Sequence, residues 1–374
     1  MKRLPRLALV FLVALLYRQL QAPAPRVPGT PGGPPVTSPR IRLKDGRHLA
    51  YHESGVPREQ ARYRIVFMHG FDSCRYDVLR VSPELARELG VYLLSFDRPG
   101  YGESDPHPAR TDKSVALDIE QLADAMELGD RFYLAGFSMG GEIMWSCLKY
   151  IPHRLSGVAI LGPVGNFWWS GLPANVSLEA WNVQVAQDKW AVGVAHHAPW
   201  LTYWWNTQKL FPASSVIAFN PAIMSRADMA LIPSFAYRTH AVSQFLHCWY
   251  DEHMWRARTK GRRRALTFLW ILACTQYQAR QQGEHESLHR DMMVGFGKWS
   301  WSPLDLEDPF PDGDGKVHLW HGAEDLIVPV GLSRHISKSL PWVRYHELPT
   351  AGHLFPMADG MADVIVKSLL LGDE

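Results

Sequence analysis

The stretch Gly136-Phe137-Ser138-Met139-Gly140 decides the predicted fold. Strand-forming residues at 131–135 lead into it, and a helix-compatible stretch at 141–150 follows. In that context a G-x-S-x-G pattern predicts a sharp strand-to-helix turn, because glycine on either side lets the two backbones pass closely. The Ser138 hydroxyl would then stand above the carboxyl edge of a sheet, where a nucleophile is expected. A glycine-rich turn with a surface serine is the alternative for so short a pattern.

Composition limits the class of protein. The chain has 374 residues, of which 47% are hydrophobic and 20% are charged, and its net charge is +2. This length suits one large catalytic domain or two average domains. A net charge this small does not indicate a nucleic-acid partner. The cysteines are scattered without metal-ligand or disulfide-framework spacing, so we expect no metal site and buried free thiols. They are Cys74, Cys147, Cys248 and Cys274.

The N-terminus has a targeting pattern. Residues 1–21 begin with Lys2, Arg3 and Arg6 and continue into an apolar run at 7–17, which is short for a full bilayer span. No convincing cleavage site follows, so we favour an uncleaved membrane anchor over a secretory or organellar targeting peptide. Detergent-free fractionation of the full-length chain would test this expectation. Residues 22–39 form a Pro/Gly-rich tether. We therefore expect a membrane-associated protein, in the endomembrane system.

Beyond residue 40, short apolar runs alternate with helical patterns. This alternation predicts an α/β fold with a mainly parallel sheet and helices on both faces. The core would comprise residues 40–165 and 311–374, and a mostly helical cap would occupy 166–310. The predicted strands are 41–43, 48–52, 63–68, 91–96, 131–135, 155–161, 316–320 and 343–348. The predicted helices are one starting at Ser82-Pro83, then 114–128 closed by Gly129, 141–150, 331–340 and 357–371.

Residues 233–278 fit this scheme least well. A basic run at 256–264 precedes an apolar run at 265–274 that lacks helical amphipathicity and is too short for a membrane span. The basic run suits a solvated surface, a contact with lipid headgroups, or translated sequence that does not belong in the mature message. We favour the last interpretation.

An ordered series of motifs then indicates a family. His69-Gly70 follows the strand at 63–68, Asp97-Arg98-Pro99-Gly100-Tyr101-Gly102-Glu103-Ser104 follows the next strand, and the Ser138 turn follows the one after that. From residue 40 to 373 the chain resembles the α/β-hydrolase superfamily, of the type with a cap inserted into a single catalytic domain. Through residues 96–106, 201–209 and 286–293 it is also similar to a group of plant α/β-hydrolases with an N-terminal hydrophobic segment. The resemblance implies hydrolase chemistry more firmly than any substrate.

The resemblance implies a catalytic triad in the chain order serine, acid, histidine. Asp325 is the expected acid, favoured over Glu324 by position, and His353 after the last strand is the expected base. A solvated loop carboxylate and a surface histidine are the alternatives. We expect the backbone amides of Phe71 and Met139 to form the oxyanion hole.

Three further expectations concern the surroundings of the triad. His69 would orient its loop rather than act as the base, and Asp97 would brace neighbouring loops. Trp168, Trp204 and Trp205 in the cap are candidate substrate-binding residues, although packing between cap and core is the more frequent use of such side chains.

Together these patterns predict a serine hydrolase for an ester of a small or lipid-like apolar compound, requiring no cofactor. An acyltransferase uses the same residues, and a slowly turning-over or non-catalytic ligand receptor shares the fold, so both alternatives stay open. The sequence leaves the oligomeric state open.

Overall fold

The computed structural model describes residues 4–218, 220–236 and 278–372. Eight described strands form one sheet in the order β1-β2-β4-β3-β5-β6-β7-β8. Strand β2 pairs antiparallel with β1 and β4, and the other neighbours pair in parallel. The strands are β1 (Arg40–Arg42), β2 (His48–Gly55), β3 (Tyr63–Met68), β4 (Val91–Phe96), β5 (Phe132–Phe137), β6 (Leu155–Leu161), β7 (Val317–Gly322) and β8 (Val343–Leu348).

Helices cover both faces of this sheet. In β3, Val66 and Met68 belong to one apolar cluster while Ile65 and Phe67 belong to another, as the two-residue period of a strand requires. The first cluster includes apolar side chains of α3, α4 and α10, and the second includes those of α11. The described helices are α1 (Leu4–Leu20), α2 (Pro83–Leu89), α3 (Asp112–Ala125), α4 (Met139–Tyr150), α5 (Ala174–Val183), α6 (Ala186–His197), α7 (Thr202–Thr207), α8 (Arg226–Ala236), α9 (Arg290–Gly295), α10 (Val330–Ser339) and α11 (Met361–Leu371).

The predicted α/β architecture, with its alternation of strands and helices, is confirmed, and β1 and β2 form an antiparallel pair at its start. Several helix boundaries were wrong. Helix α4 begins at Met139 rather than 141, and α10 spans Val330–Ser339 rather than 331–340. Helix α3 begins at Asp112 rather than 114, because the Thr111 hydroxyl caps it by accepting the Ser114 amide at 3.1 Å. It ends at Ala125, before Glu127 takes a positive φ of 53°, so Gly129 does not close it.

The C-terminal helix also starts later than expected. Residues Phe355–Met357 form a 3-10 turn, and Gly360 then adopts φ 78° before α11 begins at Met361. A left-handed residue interrupts a right-handed helix, so the helical pattern from 357 could not continue through it.

Between β6 and β7 lie α5 to α9 and a π-helical turn at His285–His289. Most of the doubtful stretch 233–278 lies outside the described residues. Helix α1 has 17 residues, and within the described ranges we find no helix with both the length and the apolar character to cross a membrane.

Candidate active site

The Ser138 turn joins β5 to α4 with little free space. Ser138 has φ 57° and ψ −120°, a backbone conformation that non-glycine residues rarely adopt. Close backbone atoms explain why Gly136 and Gly140 have no side chain. A Cβ on Gly136 would lie 2.5 Å from the Gly140 carbonyl oxygen, and one on Gly140 would lie 2.4 Å from the Met68 carbonyl oxygen. The strained serine is therefore held by close backbone contacts that only glycine permits.

A buried histidine–carboxylate pair lies beside this turn. His353 Nδ1–H donates to Asp325 Oδ2 at 2.6 Å, and both side chains are buried. The other carboxylate oxygen, Oδ1, accepts the backbone amides of Ile327 at 2.9 Å and Val328 at 2.8 Å. His321 Nε2 lies 3.3 Å from Asp325 Oδ2. Asp325 is therefore fixed on both oxygens, and its loop dictates where the imidazole lies.

The pair has complementary electrostatics. Burial by itself would lower the pKa of His353, but the charge and hydrogen bond of Asp325 hold it above the ordinary value. Burial likewise opposes ionisation of Asp325, yet His353 and then His321 keep the pKa of that carboxyl well below its ordinary value. The structure thus favours a charged carboxylate beside an imidazole that gains a proton readily.

Contacts on two sides connect His353 to the serine turn. Its ring packs on Phe137, the residue before Ser138, with centroids 4.8 Å apart. A Cβ on Gly162 would lie 3.5 Å from His353 Nδ1, and the preceding residue, Leu161, accepts the Ser138 amide at 2.8 Å. No hydrogen bond joins the Ser138 hydroxyl to His353 in the part of the chain that the structure describes. In enzymes without substrate such bonds are often long and tighten on binding.

The expected oxyanion donors flank the same serine. Met139 is the first residue of α4, where amides have no partner within the helix. The loop of Phe71 also passes close by, since a Cβ on Gly70 would lie 3.1 Å from Ser138 Cβ. Among the described residues, neither the Phe71 nor the Met139 amide has a hydrogen-bond acceptor. Both donors are therefore free for an oxygen that develops negative charge beside Ser138.

His69 and Asp97 have the structural contacts expected of them. His69 Nδ1 bonds the Gly70 carbonyl at 2.8 Å, and its Nε2 accepts the Arg98 amide at 3.2 Å. Asp97 accepts the amides of Arg75 at 2.7 Å and Glu103 at 2.9 Å. Burial and the Arg98 charge keep the pKa of His69 well below its ordinary value, so this imidazole is neutral. It orients its loop and lies apart from the Asp325–His353 pair.

Sequence reasoning missed the residues that hold the Phe71 loop. Arg98 donates from Nη2 to the Gly70 carbonyl at 2.8 Å, and its Nη1 lies 2.6 Å from Asp291 on α9. Asp291 also lies 3.0 Å from Arg110 and accepts the Tyr101 hydroxyl at 2.6 Å. The signal was present, because Arg98 and Asp291 lie in two stretches that carry the plant-group resemblance. Their pairing could not be inferred from either stretch alone.

Comparison with known proteins identifies the fold. Residues 63–193 match the family described as the alpha/beta hydrolase fold, and this segment contains β3 to β6 with the Ser138 turn. Over this segment the chain has the α/β-hydrolase fold. It is 35% identical over 121 residues to the abhydrolase domain-containing protein abhd-5.2 of Caenorhabditis elegans, a match that covers 30% of this chain and 26% of that protein. The chain therefore matches only about a quarter of that relative's length.

Solved structures resemble this chain over most of its length. A thermophilic esterase from Thermogutta terrifontis has a TM-score of 0.52 at 16% identity, covering 90% of this chain and 100% of its own. A structure from a study of the carboxylesterases of Nitrososphaera gargenis has a TM-score of 0.55 at 13% identity, covering 89% of this chain and 98% of its own. At such identities the likeness shows the fold. The similarity to a plant group stays a prediction.

The candidate substrate-binding tryptophans make aromatic contacts within the segment between β6 and β7, which is the predicted cap. The Trp168 ring stacks on His196 with centroids 3.9 Å apart, and Trp204 contacts Trp205 edge-on at 6.4 Å. Trp205 stacks on Phe211 at 5.3 Å, and it packs against the apolar cluster that Phe71 also contacts. Trp205 thus shares an apolar cluster with Phe71, and the Trp168 amide donates to Asn166 Oδ1 at 3.0 Å in the segment after β6. Substrate binding by these side chains stays a prediction.

Proposed function

We propose that this protein is a serine hydrolase that cleaves a carboxylic ester of a small or lipid-like apolar substrate through an acyl-enzyme. The observation that carries the proposal is the buried hydrogen bond of 2.6 Å between His353 Nδ1 and Asp325 Oδ2, beside the strained turn that holds Ser138. Acceptance by Asp325 places the proton on Nδ1, so the Nε2 lone pair is the one available to take a proton. Such a pair is the part of a triad that makes a serine hydroxyl nucleophilic.

Acylation would use each member of the site. Ser138 Oγ attacks the ester carbonyl carbon while His353 Nε2 removes the hydroxyl proton, a contribution of roughly 10² to 10⁴ in rate for general base catalysis. Asp325 stabilises the imidazolium that forms, and it keeps the ring in the useful tautomer. The Nε2 proton then passes to the leaving alcohol as the ester C–O bond breaks, which leaves the acyl group on Ser138.

The amides of Phe71 and Met139 would bind the oxyanion formed in this step. A single donor of this kind contributes about 3 to 4 kcal/mol to lowering the barrier. Water then repeats the sequence on the acyl-enzyme, with His353 again taking a proton and returning it to Ser138. The product acid leaves, and the free enzyme is restored.

An apolar substrate is proposed from the surroundings of the site. Ser138, Asp325 and His353 are 6%, 7% and 4% exposed, so a substrate must replace water next to buried groups. The cluster next to the Phe71 side chain is built of apolar residues and includes Trp205 in its periphery. Moving a hydrophobic acyl chain from water into such surroundings has no desolvation cost, whereas moving a charged chain would have a large one.

Labelling with a fluorophosphonate tests the proposal. We expect stoichiometric labelling of the wild-type protein at Ser138, none in Ser138→Ala, and labelling at least about 100-fold slower in His353→Ala because the general base is lost. Ser146→Ala is the matched control, since Ser146 is a buried serine about two turns further along α4. Turnover is then measured with p-nitrophenyl esters of increasing acyl length.

The outcomes separate the candidate functions. Labelling at Ser138 with turnover of at least one ester supports the hydrolase. Labelling without turnover of any ester, with or without an added alcohol acceptor, would favour a ligand receptor. Undiminished turnover in Ser138→Ala or His353→Ala would refute the assignment of these residues.

We also propose that the N-terminal segment associates with a membrane. Within α1, Val10, Phe11, Val13 and Tyr17 are each more than half exposed, at 65%, 67%, 55% and 64%. Exposed apolar side chains next to basic residues suit contact with a lipid surface. Comparison of the full chain with one lacking residues 1–21 in vesicle flotation tests this, and equal flotation of the two would contradict it.

A further inference from the structure

A cap residue contacts the loop of the catalytic histidine. Asp228 on α8 is completely buried, and its Oδ1 accepts the amide of Leu354, the residue after His353, at 2.7 Å. Its Oδ2 accepts the Ser225 hydroxyl at 2.8 Å and the Ser225 amide at 3.2 Å. The carboxylate therefore joins the beginning of a cap helix to the backbone that carries the imidazole.

The contact extends to the residue before the histidine. A Cβ on Gly352 would lie 2.2 Å from Ser225 Oγ and 2.3 Å from Asp228 Oδ2, far inside van der Waals distance. Glycine at 352 is thus what lets the cap approach so closely. The cap therefore contacts the residues on either side of His353: it packs closely against Gly352, and it accepts a hydrogen bond from the Leu354 amide.

The charge of Asp228 also lies near the imidazole. Among the described residues Asp228 forms no ion pair, although a buried carboxylate without a cation is costly. Among the described residues, the titratable groups near the His353 ring are Asp325 in the loop after β7, His321 behind Asp325 at the end of β7, and Asp228 on α8. The ring itself packs on the uncharged Phe137 of β5. Two of the titratable groups are carboxylates, and both favour the charged imidazolium that forms during the reaction.

We propose that Asp228 is a positioning residue for His353, through which the cap sets the placement of the general base and adds a second negative charge that stabilises its protonated form. The proposal rests on the proposed hydrolase function for its catalytic consequence. Its structural part concerns only the His353 loop. The direction of the His353 pKa agrees, since burial lowers it, whereas Asp325 and then Asp228 raise it.

Two substitutions separate geometry from charge. Asp228→Asn keeps an oxygen for the Leu354 amide and removes the charge, while its NH₂ group faces Ser225, whose amide loses this acceptor. Loss of the charge should move the titration midpoint of His353 and the acidic limb of kcat/KM to lower pH. Asp228→Ala removes the hydrogen bond as well. We expect it to lower kcat by on the order of 10- to 100-fold with little change in KM, since a displacement of about 1 Å can cost roughly 100-fold.

Asp188→Asn is the matched control. Asp188 is a buried cap carboxylate on α6 that accepts the Ser215 amide at 2.7 Å and also pairs with the Ser215 hydroxyl, as Asp228 does with Ser225. Its described partners are within the cap rather than in the His353 loop. If Asp228→Asn acted only through the stability of the cap, Asp188→Asn would have the same effect. Under the proposal, Asp188→Asn should leave the pH profile unchanged.

The midpoint of His353 is read by NMR on protein with ¹⁵N-labelled histidine, assigned by comparison with His353→Ala. This readout does not depend on turnover. If the wild-type protein hydrolyses no ester but Asp228→Asn lowers the midpoint, the hydrolase proposal fails and the positioning role stands. If Asp228→Asn titrates and reacts like the wild type and like Asp188→Asn, the positioning role is overturned. Should Asp228→Ala not fold, Asp228→Asn still decides the outcome.

Discussion

Replacement of Asp325 by asparagine tests the central contact of the site. Asp325 uses its two oxygens differently, with Oδ2 facing His353 and Oδ1 facing the amides of Ile327 and Val328. An asparagine must place its NH₂ group on one of these sides. If it faced the two amides, two buried donors would lose their acceptor, at a cost of about 1 to 3 kcal/mol each.

The favoured rotamer therefore turns the asparagine oxygen to the loop and its NH₂ to His353. A donor in that position requires an unprotonated Nδ1, so the imidazole proton moves to Nε2. Nε2 then has no lone pair with which to accept the Ser138 proton, and the base is in the wrong tautomer. The same change in the serine-protease triad lowers kcat by about 10⁴-fold, and we expect a loss of roughly 10³- to 10⁴-fold here.

The assay is initial-rate hydrolysis of the best p-nitrophenyl ester, together with the second-order rate of fluorophosphonate labelling. Glu324→Gln is the control, because Glu324 is the adjacent exposed carboxylate and the other candidate acid in sequence. It should retain wild-type activity. A folded Asp325→Asn protein with kcat within tenfold of the wild type would refute the reasoning, as would a large loss confined to Glu324→Gln.

Further predictions concern pH, stability and capping. The proposed mechanism requires neutral His353, whose pKa is raised above 6.5, so kcat/KM should increase with pH through a midpoint above that value, and a midpoint below it would contradict the described environment. The contribution of the same group to stability is present at low pH and is lost as pH rises through the raised pKa. Asp291→Ala leaves Arg98 and Arg110 buried without their shared carboxylate and should lower the free energy of unfolding by about 3 to 5 kcal/mol in urea titrations. Wild-type stability would show that the cluster is not needed. Thr111→Ala should cost about 1 kcal/mol in the same assay through loss of the helix cap, and no change would mean that α3 is capped otherwise.

Local patterns sufficed for much of the fold. The strands at Tyr63–Met68, Val91–Phe96, Leu155–Leu161 and Val343–Leu348 have the bounds predicted from sequence. The apolar runs of the first three are buried because both faces of a parallel sheet are covered, and that property is encoded by neighbouring residues. Val343–Leu348 is an edge strand in which only Val343 is buried. Helix ends were predicted less well, since the capping box at Thr111 and the left-handed residues at Glu127 and Gly360 are details of single backbone positions.

The sequence by itself determined the strand–helix alternation and the Ser138 turn, because each depends on residues adjacent in the chain. The chain order of serine, acid and histidine was implied by the family resemblance. Only the tertiary structure decided that Asp325 and His353 form a hydrogen bond, that Asp291 pairs with Arg98, and that Asp228 reaches the backbone beside the histidine. These partners lie far apart in sequence, and no local propensity specifies their distance. Their contacts exist because the sheet brings loop ends to one edge and the cap packs onto that edge, where buried polar groups must find partners.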